Sequence, residues 1–131
     1  MLKALASLLF ITTFAAVAMA QDPVKVDPNH YTVEFENAEV RVLRVKVGPG
    51  EKSIMHQHPN AVAVFMTDVN GKFTFPDCKT DAMSRKAGEV LWSPAVTNLP
   101  ENVGTETFEV ILVELKGGPP YKRTATPTNN P

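Results

Sequence analysis

Apolar and polar residues alternate along most of this chain with a period of two, the pattern of strands that bury one face. Residues 39–47 read EVRVLRVKV, with charges at Glu39, Arg41, Arg44 and Lys46 and apolar residues between them. The alternation slips phase between Val42 and Leu43. Either a β-bulge keeps one face apolar, or the two halves of the strand bury opposite faces. Residues 31–35 alternate as well. Residues 61–69 (AVAVFMTDV) are nearly continuous in apolar character, as in a strand covered on both sides. Asn70-Gly71 predicts a two-residue type I′ hairpin, after which residues 72–75 alternate back. Further strands are predicted over 80–85 and 89–93, the second stopped by Pro94. Residues 95–104, rich in Pro and Asn, read as a loop. The final strand, 105–116, puts Phe108, Val110 and Leu112 on one face and Ile111, Val113 and Leu115 on the other. Residues 21–29 read as an irregular arm. No segment beyond residue 20 sustains an apolar period near 3.6, so the pattern predicts an all-β, antiparallel double-sheet sandwich or barrel.

The two ends depart from that pattern. Lys3, an apolar run over 4–17 and the small-x-small triplet Ala18-Met19-Ala20 read as a secretory signal peptide over 1–20. The expectation is a secreted or periplasmic protein with no membrane attachment after cleavage. Residues 117–131 are mostly Gly, Pro, Thr and Asn around Lys122-Arg123, too poor in apolar residues to offset ordering entropy, and read as a disordered tail. Residues 21–116 then form the one domain that a chain of 131 residues supports. A formal net charge of −1 with no basic stripe argues against a nucleic-acid partner. The single cysteine, Cys78, excludes an internal disulfide and falls in a Pro-Asp turn at the surface.

Candidate chemistry gathers in residues 50–60, GEKSIMHQHPN. His56 and His58 are two apart, so an extended backbone turns both imidazoles to one side, the beginning of a transition-metal site. His30, the third histidine, reads as an edge residue rather than a ligand. Met55, Met66 and Met83 read as core filling. Phe65, Phe73, Phe75, Trp92 and Phe108 read as core, with Phe65 and Trp92 as candidate ligand contacts at the mouth. Glu101 or Asp68 would supply a carboxylate if the loop or strand end reached inward. No nucleophile elbow, glycine-rich phosphate loop or Ser-His-Asp spacing is present.

Gly50, five residues, His56-Gln57-His58 resembles the opening of the first cupin motif, and Gly88, five residues, Pro94 resembles the opening of the second. VRVLRVKVGPGEKS, HQHP, KAGEVLWSPA, ENVG and FEVILVELK follow in cupin order. The resemblance implies a small single-domain cupin with a jelly-roll β-barrel. It also implies one divalent metal (iron, manganese, nickel, copper or zinc) inside that barrel, on three imidazoles and a carboxylate. The chain departs from that set. Residues 59–66 hold no acid, so Val62, Ala63 or Val64 stands at the carboxylate position. In the second motif Val96 replaces a glycine. Strict spacing puts Leu99 at the third histidine, and a spacer one residue shorter puts Asn98 there with Asn102 at the motif's asparagine; the second register is preferred. His56, His58 and Asn98 are thus the candidate metal ligands. A weakly held metal or a small ligand bound without turnover is the first expectation, and a metal-dependent oxygenase or isomerase the alternative. The resemblance also implies a homodimer.

Overall fold

The computed structural model describes residues 21–117, nine strands and one helical turn. Both the signal-peptide reading of 1–20 and, but for Gly117, the tail reading of 117–131 lie outside the described residues. Strands β1 (Tyr31–Glu36), β2 (Val40–Val47), β9 (Phe108–Leu115), β4 (Ala61–Phe65) and β7 (Val90–Ser93) form one sheet in that order. Strands β3 (His56–His58), β8 (Val96–Asn102), β5 (Val69–Thr74) and β6 (Thr80–Arg85) form the other. Every pairing is antiparallel, and the two sheets face each other across the core as a double-sheet jelly roll.

The period-two reading assigns the faces correctly over most of the chain. Leu43, Val45 and Val47 on β2, Phe108 and Val110 on β9, and Ala63 and Phe65 on β4 pack inside with Tyr31 and Val69. The outer face of the five-stranded sheet is apolar too. Phe35, Val42, Val113, Val62 and Trp92 are successive register partners and make one row across all five strands.

The phase slip in β2 resolves as two halves with different inner chemistry. β2 stays in unbroken register with β9, so Arg41 shares the inner face of Leu43, Val45 and Val47 and stands opposite Glu114. The bulge belongs to β1, where Glu34 is the extra residue between Val33, opposite Leu43, and Phe35, opposite Val42.

Four other expectations need correction. Asn70-Gly71 is no turn: both residues lie within β5, paired to Ser84 and Met83. The chain turns earlier, at residues 66–68, where the Asp68 carboxylate accepts from the Ala87 amide at 3.0 Å and pairs with Lys86 at 2.6 Å. Gly71 serves a close approach instead, since a Cβ there would lie 3.1 Å from the Glu101 carbonyl oxygen. Residues 96–102, read as loop, form β8 despite Pro100. The Pro100 carbonyl accepts from the Ser53 amide at 2.9 Å, and its ring nitrogen faces the same side, past the end of β3, where no ladder donor is required. The arm holds a helical turn, α1 (Pro23–Val26), capped by the Asp22 side chain on the Val24 amide at 2.9 Å. Met66 is exposed rather than core.

Two polar anchors tie the loops to the sheets. Asn102 is 1% exposed. Its amide donates to the Val47 and Glu106 carbonyls, both at 2.8 Å, and accepts from the Gly104 amide at 2.9 Å. His30 bridges Asp27 at 2.8 Å and Glu51 at 3.1 Å. Burial opposes the charged imidazolium, but the two carboxylates outweigh it and raise its pKa above 6.5.

Asn102→Ala removes three hydrogen bonds and orphans the buried Val47 carbonyl, so it should cost about 2 kcal/mol in urea unfolding. Because His30 is held charged in the folded state, its contribution is complete below its unfolded pKa and fades as pH rises through the raised folded value. The gap in melting temperature between the wild type and His30→Gln should therefore narrow from about pH 6 to about pH 9; a gap that widened would contradict this assignment.

Candidate functional site

His56 and His58 sit on the edge strand β3, and both imidazoles turn inward, as the i, i+2 spacing predicts. They are buried, with Nε2 atoms 2.9 Å apart and ring planes 89° apart. Tyr31 packs edge-on against His56 at 4.7 Å between centroids.

Each imidazole is fixed from behind. His56 Nδ1 lies 2.6 Å from the Ile54 carbonyl oxygen, and His58 Nδ1 lies 2.6 Å from Glu114 Oε1. A carbonyl and a carboxylate can only accept, so both Nδ1 atoms carry the proton. Burial, with the His58 charge second, pushes the His56 pKa down to about 4, so His56 is neutral at neutral pH. With both Nδ1 atoms donating, two Nε2 lone pairs converge at 2.9 Å. They repel unless a shared proton or a cation lies between them.

Glu114 is the residue that sequence reasoning missed. It follows Phe108, Val110 and Leu112 on the inner face of β9, as period two alone predicts, but it falls in neither histidine motif. Its other oxygen, Oε2, accepts from Arg41 Nε at 2.7 Å, and Arg41 Nη1 donates to Asp22 Oδ2 at 2.8 Å. Burial acts to raise the Glu114 pKa, and the His58 and Arg41 hydrogen bonds outweigh it, so the carboxyl is held below its usual range and charged. Ala61, the register partner of Glu114 on β4, is small enough to leave it room.

The remaining candidates separate. Asn98 stands opposite His56 in the β3–β8 register, is 6% exposed, and lines a cavity of about 340 Å³ between the sheets. His58, Tyr31 and Phe65 line the same cavity. Phe73, Phe75, Met83, Leu91 and Phe108 supply most of its apolar wall, while Asp81 and Arg85 lie toward the β6 edge. Leu99, the alternative register, is not among the lining residues. Trp92 does not reach the cavity: Leu91 and Ser93 take the inner face of β7, which turns Trp92 outward. Glu101 is also outside, on the opposite face of β8 from Asn98, paired to Lys72 at 2.9 Å. Asp68 is spent on the corner described above. Of residues 62–64, Ala63 is the inward one, and no carboxylate reaches the pair from β4. Among the described residues, no group of three or more His, Cys, Asp or Glu is arranged to hold a metal ion.

Neither a protein-family model nor a curated protein matches the chain. Solved structures do. A cupin domain from Bordetella pertussis Tohama I is 24% identical with a TM-score of 0.62, over 66% of this chain and 92% of that one. The chain has the cupin fold. An uncharacterised conserved protein with a double-stranded β-helix domain from Klebsiella pneumoniae is 20% identical with a TM-score of 0.53, covering 66% of this chain and 76% of that one. A cupin family protein from Methanocaldococcus jannaschii is 18% identical with a TM-score of 0.52, covering 68% and 83%. At these identities the likeness concerns the fold and carries no activity across. Within this cupin fold the histidine strand and β8 run side by side, which sets His56 opposite Asn98.

Glu114→Ala would leave Arg41 beside an empty, largely dry space and His58 Nδ1 without its acceptor. It should cost about 3 kcal/mol or more in chemical denaturation, well above a surface ion-pair deletion.

Proposed function

We propose that this is a secreted, cupin-fold binding protein that holds a divalent transition metal on His56 and His58, with the adjoining cavity open to a small ligand. The observation that carries the reading is the pair of Nε2 lone pairs converging at 2.9 Å with both Nδ1 protons already committed. That separation is close to the roughly 3 Å that two imidazole nitrogens span on one cation with bonds of about 2.0–2.1 Å. The donor set therefore fits a metal, but only as a partial shell. Asn98 offers one further oxygen from β8, and the remaining positions fall to water or to a ligand in the cavity. When bound, such an ion would act as a Lewis acid on whatever enters.

The chain's own residues supply orientation and exclusion. Ile54 and Glu114 fix the two tautomers, a role usually filled by the outer partners of metal-binding histidines. Tyr31 closes one side of the pair, and Phe65, Phe73 and Phe108 present apolar surface to the ligand. Among the described residues, the acid that lines the cavity, Asp81, lies toward the β6 edge rather than beside His58, which favours binding over turnover. For that reason the oxygenase or isomerase alternative is not adopted.

The test is titration of metal-free protein with Zn²⁺ and Co²⁺, followed calorimetrically. About one equivalent should bind to the wild type and none tightly to His56→Ala/His58→Ala. Equal binding by both proteins would refute the assignment.

A further inference from the structure

A continuous line of hydrogen bonds runs from the first described residues to the ring of His58. The Gln21 carbonyl accepts from the Gln57 amide at 2.9 Å, between the two histidines. β3 is an edge strand paired only with β8, so the arm occupies its free side at this point. The next residue, Asp22, uses both its oxygens. Oδ1 caps α1 on the Val24 amide at 2.9 Å, and Oδ2 accepts from Arg41 Nη1 at 2.8 Å. Arg41 Nε donates to Glu114 Oε2 at 2.7 Å, and Glu114 Oε1 accepts from His58 Nδ1 at 2.6 Å. Pro23, at the start of α1, is fully buried and pins the arm down.

The guanidinium is the pivot. Its Nε and Nη1 serve two different carboxylates, one from β9 and one from the arm. Among the described residues Asp22 is the carboxylate that holds Nη1, and without it a planar fork prefers to take a single carboxylate with two donors. Arg41 would then draw both oxygens of Glu114 toward itself and compete with His58 for Oε1. The outer end of the relay is partly solvated, with the Asp22 side chain 31% exposed. Loss of the pair should therefore move the ring more than it lowers stability.

We propose that residues 21–26 are a positioning strap for the candidate site: Asp22, acting through Arg41 and Glu114, fixes His58 in its Nδ1-protonated tautomer with Nε2 aimed at His56. Asp22 and Arg41 are positioning residues and touch neither the cavity nor the Nε2 pair. The consequence for metal affinity rests on the two-imidazole reading above, whereas the consequence for the ring does not.

Asp22→Asn separates the two duties of the side chain, because asparagine keeps an acceptor for the Val24 cap and loses the negative charge facing Arg41. Nitrogen–proton correlation NMR of the imidazoles, on the metal-free full chain, reads the result directly. The wild type should show a downfield, exchange-protected His58 Nδ1 proton. In Asp22→Asn that resonance should shift upfield or exchange away with the melting temperature nearly unchanged, and Asp22→Glu should restore it. Arg41→Lys, which keeps the charge but cannot serve two carboxylates, should reproduce the loss. Zn²⁺ affinity should fall by about tenfold or more in both loss variants. An unchanged His58 resonance in Asp22→Asn and Arg41→Lys would overturn the strap, as would a wild-type His58 protonated on Nε2 with Nδ1 bare. If instead the resonance responds while wild-type protein binds no Zn²⁺, the strap stands and the metal reading falls.

Discussion

A carboxylate sealed between two sheets persists as an ion only if both of its oxygens are used, and Glu114 meets that condition with His58 on one side and Arg41 on the other. Much of the neighbouring structure follows from this. The cation must come from the strand opposite, so Arg41 takes an inner position on β2 where an apolar residue would otherwise continue the row. The strand on the other side must be thin, and Ala61 is its register partner there. The histidine must face inward from the second sheet, which sets the parity of β3. Arg41 retains a free donor after serving Glu114, and the arm supplies Asp22 to take it. One buried charge thus links both sheets and the arm, and no single local segment encodes that arrangement.

How much was legible in the sequence follows from the same distinction between local and long-range causes. The inner and outer faces of β2 and β9 were legible because side-chain parity is a local property, and the paired inward histidines were legible for the same reason. The motif remnants at 50–58 and 88–94 carried the fold, which the structure and its solved neighbours bear out. Asn70-Gly71 misled because turn propensity yields to context. The corner is made at 66–68 by the Asp68 carboxylate reaching Ala87, 19 residues away. β8 was missed because Pro100 forbids a ladder bond only on one side, and only the pairing shows that this side needs none. Trp92 and Glu101 were candidate contacts by residue type, and strand parity turns both of them outward. Glu114 and Arg41 were hidden by the opposite habit, that of assigning strand charges to solvent, although the phase slip at Val42–Leu43 marks Arg41 as a residue sharing the apolar face.

The position of the carboxylate also bears on what the site can hold. In the pattern that the motifs resemble, an acid on the strand after the histidines would enter the shell of a bound metal directly. Here Ala63 occupies that inward position, and the buried acid bonded to the pair, Glu114, stands behind His58, on its Nδ1 side. The cavity's polar end is formed by the His58 imidazole and the Asn98 amide, with His56 beside His58, and none of these side chains carries a negative charge. Glu114 reaches the pair only through the His58 imidazole, and its other oxygen is already taken by Arg41. On the metal reading proposed above, the balancing charge would have to come from the ligand. The cavity is walled by phenylalanines, methionine and leucine, with Asp81 and Arg85 toward the β6 edge. Those walls provide contact area but no counter-charge beside the histidines.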